Sequence, residues 1–378
     1  MPVAARAAEG PVRLQVRRVL LPRRAAFLIP AALALVAGLD AALLLLGLPA
    51  PVSTERLPEV HGMLLVLGFV GTLVATERAV ALRRRAGFAA PALLGVAAVL
   101  LVSPAPLAVG QAVLLLGAVA LVAVYVPLWR RQRDHAVLVQ VLGAILAVGA
   151  STLWLGGVAM PQLLPWLVGF IVLTIGGERL ELARIAMGPG AGQVLVALSG
   201  ALVAAVVTAL LWPDVGHLLL GAALLVLVGW LAVHDVARRT VGSAGLVRFM
   251  AGCLLAGYFW LAVAGATWLV GGPALGGARY DAVVHAVFLG FTLSMVMAHA
   301  PVILPAVLRR PLPYHPVLVV PAVLLHLSLV LRLWVGDALG VRVAWQVGGV
   351  GNILALLLFA GLAAWSASRA ARTHRGAR

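Results

Sequence analysis

Along the chain, apolar runs of about 20 residues alternate with short breaks that carry Arg, or Gly and Pro. The breaks have turn chemistry, as in Pro49-Ala50-Pro51, Ser103-Pro104-Ala105-Pro106, Gly188-Pro189-Gly190 and Gly271-Gly272-Pro273. Read this way, the pattern predicts twelve helical spans near 25–48, 58–82, 87–103, 106–129, 135–158, 162–183, 191–212, 215–234, 245–270, 280–308, 315–335 and 342–366. Spans of this length satisfy their own backbone hydrogen bonds, as a bilayer core requires.

Composition fixes the class. Of 378 residues, 63% are hydrophobic and 11% charged, and the mean hydropathy is +1.10. A soluble domain carries roughly a quarter charged residues. The net charge of +16 comes wholly from Arg, because the chain has no Lys. Its distribution describes topology and gives no reason to expect a nucleic-acid partner. Of the 28 basic residues, 21 fall on one set of span ends and only Arg56, Arg279 and Arg342 on the other. Positive charge collects on the cytoplasmic side, so both termini are expected inside, in an inner or plasma membrane. This gives an Arg-rich tail over 1–24, one transmembrane domain over 25–366 and a basic tail over 367–378. The single cysteine, Cys253, excludes an internal disulfide and a cysteine cluster.

Three Gly-Phe pairs are each followed by a polar group nine residues after the Gly. Gly68-Phe69 leads to Glu77-Arg78, Gly169-Phe170 to Glu178-Arg179, and Gly290-Phe291 to His299. The pairs fall on spans two, six and ten. Three units of four helices, near 25–129, 135–234 and 245–366, are therefore expected in a pseudo-threefold arrangement. Charged groups inside spans are costly and mark function. Glu77 and Glu178 are candidates for a proton route from the cytoplasm. The competing expectation is that the Glu-Arg pairs neutralise each other between helices while Arg reaches to the headgroups.

Four histidines lie within spans. His61 and His285 sit at the same end of spans two and ten, each about 5–8 Å from the edge at 1.5 Å per residue. Neutral imidazoles at matched depth suit the two axial positions of a haem iron. Gly62, Gly68, Gly71 and Gly290 would allow close approach, with Met63, Phe69, Phe288 and Phe291 as the wall. The alternative is that each ring bonds a backbone carbonyl or water. His299 and His326 lie on neighbouring spans and are candidates for a second metal site, a proton relay or a hydrogen-bonded pair. His135, His217, His234, His315 and His374 read as hydrated residues of ends, loops and tail. No Walker loop, dinucleotide fingerprint, HExxH or paired-cysteine motif is present.

His61-Gly62-Met63 on span two, with His285 on span ten, resembles the low-spin haem site of haem–copper oxidase and nitric oxide reductase subunit I. The stretch from His285 to Pro305, with His299-Ala300-Pro301, is similar to the NnrS family. The resemblance implies twelve helices in three arcs, a b-type haem held by His61 and His285, and electron transfer or nitric oxide handling. It adds copper as a further candidate, a redox partner on the outer side, and Arg56 and Arg279 as partners for haem propionates. Spans six and seven lack the histidines of an oxygen-reducing centre, so that centre is not expected. Two other classes remain open: a proton-coupled transporter or channel, and a structural or assembly factor whose histidines only pack.

Overall fold

A computed structural model of the chain describes residues 26–308 and 312–376. The tail over 1–24, together with Arg309 and Arg310, lies outside the described residues. Among the described residues the fold is all-helical, with twelve helices long and apolar enough to cross a membrane. They are α1 (Leu28–Leu45), α2 (Arg56–Leu82), α3 (Arg85–Val102), α4 (Leu107–Gln132), α5 (His135–Leu155) and α6 (Met160–Met187). There follow α7 (Ala191–Leu211), α8 (Pro213–His234), α9 (Gly245–Gly271), α10 (Gly277–Pro305), α11 (Pro316–Ala338) and α12 (Arg342–Arg369). Every expected span finds its helix.

The ends follow local chemistry. Asp134 caps α5 by accepting from the Ala136 N–H at 3.0 Å. Arg83, with φ 59°, closes α2 in the left-handed region, where its N–H reaches the Ala79 carbonyl. Consecutive helices pack on one another, notably α3 on α4, α5 on α6, α8 on α9 and α11 on α12. Lipid-facing side chains are large and apolar, among them Ile29, Leu33, Val226 and Leu354. This is a polytopic helical membrane protein.

The helices α2, α6 and α10 form the middle of the bundle. In the most apolar eighteen residues of each helix, 61% are buried in α2, 78% in α6 and 67% in α10, against 33–56% in the others. α10 touches both α2 and α6. Two of the three carry the same local distortion. Leu64–Gly71 in α2 and Ala286–Leu293 in α10 are π-helical, and Gly68 and Gly290 are each the fifth residue of their segment. A third π-helical stretch, Leu331–Ala338, ends α11. Such wide turns recur at functional sites because they re-aim the side chains around them. α6 has no such segment around Gly169.

Candidate functional site

Two cavities lie along the bundle axis. The first has a volume of about 330 Å³ and is lined by His61 and Gly62 of α2, His285 and Phe288 of α10, Met160 of α6 and Arg332 of α11. The matched depth read from the sequence thus becomes a shared cavity. His61 Nδ1 lies 3.0 Å from the Gly38 carbonyl of α1, and His285 Nδ1 lies 2.9 Å from the Asp281 carbonyl. Each Nδ1 therefore carries the proton and donates it, which leaves the Nε2 lone pair available. The bland reading of these residues, a bond to a backbone carbonyl, is correct for one nitrogen of each ring and leaves the other for a ligand.

The His285 end is further ordered by charge. Asp281 Oδ1 is 3.1 Å from His285 Nδ1. The Arg332 guanidinium donates to both oxygens of Asp281, at 2.8 and 2.7 Å, and Trp345 Nε1–H donates to Oδ2 at 3.3 Å. Arg332 also stacks on the Trp345 ring, 5.4 Å from its centroid. A carboxylate on the far nitrogen of an imidazole fixes its tautomer and makes the near nitrogen a stronger donor. Sequence assigned no role to Arg332 or Asp281. The signal was there: an acid and a base within apolar spans, which membrane burial forces to pair.

The outer arginines and the span glycines find the following partners. Arg56 donates from Nη1 to the carbonyls of Ser103 and Ala105, both at 2.5 Å, and so pins the turn between α3 and α4. Arg279 donates to the Gly271 carbonyl. Neither lines the first cavity; the guanidinium that does is Arg332. Of the glycines expected to allow close approach, only Gly62 lines the cavity. A Cβ on Gly290 would meet the Trp260 side chain at 2.3 Å, so that glycine serves the α9–α10 contact. Phe288 lines the first cavity, Phe69 the second, while Met63 and Phe291 are core.

The second cavity, about 460 Å³, lies between α1, α2, α6, α10 and α12. All three repeat-equivalent polar groups, Glu77, Glu178 and His299, line it, together with Thr174. Leu356 lines both cavities, and on α2 the two linings are separated only by the step from Val66 to Phe69.

Around this cavity the arginines are internal. Arg78 donates to Gln140 Oε1 at 3.2 Å and Glu181 Oε2 at 3.0 Å and pairs with Glu77. Arg179 is bidentate on Asp235, at 2.7 and 2.9 Å, and Tyr258 donates to the same carboxylate at 2.7 Å. Both are buried, at 7% and 3% exposure, so the expected reach to the headgroups does not occur, while the expected neutralisation between helices does.

His299 belongs to this network. Its Nδ1 donates to the Met295 carbonyl at 2.8 Å, and its Nε2 accepts from Arg179 Nη1 at 3.1 Å. His326 Nδ1 accepts from Trp260 Nε1–H at 3.0 Å, so its proton sits on Nε2, 3.5 Å from Ser294 Oγ. The two share no hydrogen-bond partner, and neither keeps a free ring lone pair for a metal. No group of three or more His, Cys, Asp or Glu placed to hold a metal occurs among the described residues. His299 and His326 thus each meet a partner of their own, Arg179 and Trp260. His217 also departs from expectation: it is 3% exposed and packs edge-on against Trp268.

The chain belongs to the family described as "Domain of unknown function (DUF8744)", which matches residues 24–368. No curated protein and no solved structure is significantly similar to it.

Proposed function

We propose that the protein is a haem-binding membrane protein of the NnrS-like, haem–copper oxidase subunit I-like type, acting in electron transfer or nitric oxide handling. The observation that carries this reading is that His61 and His285 line one cavity with Nδ1 anchored and Nε2 free on each ring. The lining fits a b-type haem: two imidazole donors, apolar walls from Leu65, Leu164, Leu167 and Phe288, and a cation in Arg332. When bound, such a group supplies one-electron transfer. The chain's own part is to hold both imidazoles in one tautomer, to strengthen the His285 donor through Asp281, and to keep water from the wall. His61 and His285 together would hold the group, which favours electron transfer.

On this reading the bundle is pseudo-threefold, both termini are cytoplasmic, the first cavity lies toward the outer face of an inner or plasma membrane, and a redox partner docks there. The central position of α2, α6 and α10 supports the first point, and the Arg distribution the others. The test is an optical spectrum with metal analysis on protein purified from haem-replete cells. A Soret band lost in both His61→Ala and His285→Ala is expected; a colourless wild-type protein refutes the reading.

A second reading, a proton-coupled transporter, draws on Glu77, Glu178 and His299 meeting at one cavity. Proton-driven uptake in proteoliposomes, abolished by Glu178→Gln, would favour it over the first.

A further inference from the structure

Six arginines stand exposed on two turns at one end of the bundle. Arg83, Arg84 and Arg85 lie between α2 and α3, and Arg130, Arg131 and Arg133 at the end of α4. The fold joins these turns. Arg131 donates to the Ala81 carbonyl of α2 at 3.4 Å, and α4 packs against both the Thr72–Leu82 stretch of α2 and Arg85–Phe88. None of the six forms an ion pair among the described residues. The one acid in the two turns, Asp134, is spent on capping α5 and on Arg184. Positive charges crowded together with no acid between them repel one another, and an anion meeting them lowers that cost.

The backbone supplies a second sign. Among the described residues, the non-glycine residues with positive φ are Arg83, at 59°, and Arg133, at 47°. Each closes a helix at the position that glycine takes most cheaply. An L residue there is strained, and strain of this kind collects at ligand clamps. Topology asks for arginine somewhere in these turns, not at their left-handed positions. Nor does the helix dipole ask for Arg133, because the last turn of α4 already holds Arg130 and Arg131.

The arginines also continue a lipid-facing surface. Leu116, Val119, Ala123 and Val126 of α4 are exposed, and their alternating spacing of three and four keeps them on one face with Arg130. On the neighbouring α3, Val96 and Val99 are exposed as well. A soluble anion has no use for such a stripe. A lipid lays its acyl chains on it and brings a phosphate to the guanidinium groups, which match phosphate oxygens in geometry and charge.

We propose that the Arg83–Arg85 and Arg130–Arg133 turns form one binding site for an anionic phospholipid, with its phosphate held from both turns and its chains on α3 and α4. Basic clusters beside membrane spans serve this chemistry. The inference goes beyond the haem reading and does not depend on it.

The probe is phosphatidylglycerol, titrated into the full chain in neutral detergent and counted as bound copies by native mass spectrometry. Phosphatidylcholine with the same chains is the zwitterionic comparison, and phosphatidylglycerol should bind more tightly. Arg83→Gly with Arg133→Gly removes two side chains and the backbone strain together. Affinity should fall by roughly thirtyfold, the effect of two arginines at a membrane surface, while thermal stability stays level or rises. Arg84→Gln with Arg130→Gln, which leaves the backbone of both turns as it is, should give a similar fall. Arg238→Gln with Arg239→Gln removes the same charge from the exposed turn between α8 and α9 and should change nothing. Equal affinity for the two lipids overturns the proposal, and so does wild-type affinity in both arginine pairs. An equal fall in the α8–α9 variant also overturns it, by assigning the effect to the charge of the whole surface. Displacement of the lipid by free glycerol phosphate at comparable concentration would make the occupant a soluble phosphate and refute the lipid.

Discussion

The two cavities each receive histidine from α10, yet they treat it in opposite ways. At the first, His61 and His285 spend one nitrogen on a carbonyl and keep the other free. At the second, His299 spends both, one on Met295 and one on Arg179, and His326 on α11 likewise uses both its nitrogens. Burial alone would make all four look alike. What separates ligand from framework is whether a lone pair remains once local hydrogen bonds are satisfied. The first cavity leaves a lone pair on each of its two histidines, and the second leaves none on His299.

The largest effect should come from crossing that distinction. His61→Ala and His285→Ala should each remove the Soret band, while His299→Leu and His326→Leu should leave it in place in the protein that folds. Loss of the band in all four variants would erase the contrast and make the histidines one site.

Next in size is the framework around His299. Arg179→Met leaves Asp235 buried at 2% exposure without its cation. Breaking a buried pair from one side costs about 3–5 kcal/mol, measurable by unfolding in mixed micelles. Asp235 follows α8, outside the spans. Burial pushes its carboxyl up, but the bonds from Arg179, the Ala237 N–H and Tyr258 outweigh it and hold the group below its ordinary value. A carboxylate depressed on folding contributes stability above its unfolded pKa and loses it as pH falls through the folded one. Wild-type stability should therefore drop on acidification below the ordinary carboxylate range, and in Arg179→Met that drop should disappear. An identical acid limb in the two proteins would show that Asp235 does not carry it.

Much of this arrangement was legible in sequence. Span positions followed from apolar run length, because a bilayer sets helix length. The offset of nine residues from Gly marked Glu77, Glu178 and His299 as equivalent positions, and in the fold all three line one cavity. Partner choice was not legible. Arg332 finds Asp281 51 residues away, and Arg179 finds Asp235 56 away. Nothing in local pattern fixes which helix faces each arginine. Arg56 shows the reverse case. Its place at a span end suited a propionate contact, but the carbonyls of the α3–α4 turn lay within reach and took it.

A smaller effect tests how the first cavity orients its donors. Asp281→Asn keeps the backbone carbonyl that His285 Nδ1 reaches at 2.9 Å but removes the charge behind it. Partners of this kind change affinity for the bound group by roughly 10–100-fold. Haem titration into apo-protein should show that weakening, with the Soret band retained at saturation. Affinity equal to wild type would mean that Asp281 serves only to neutralise Arg332.

The smallest expected effect lies at His326. If its Nδ1 is held by the Trp260 N–H at 3.0 Å, the two side chains are coupled, and the coupling is that of one neutral hydrogen bond, about 1 kcal/mol. Trp260→Phe alone cannot measure it, because Trp260 also fills the space opposite Gly290 and loses packing as well. A double-mutant cycle with His326→Leu cancels the packing loss and leaves the pair term. Coupling near 1 kcal/mol that is the same with and without a strong chelator fits a framework histidine. Coupling that vanishes on chelation would put a metal at His326 and move it to the ligand side of the contrast.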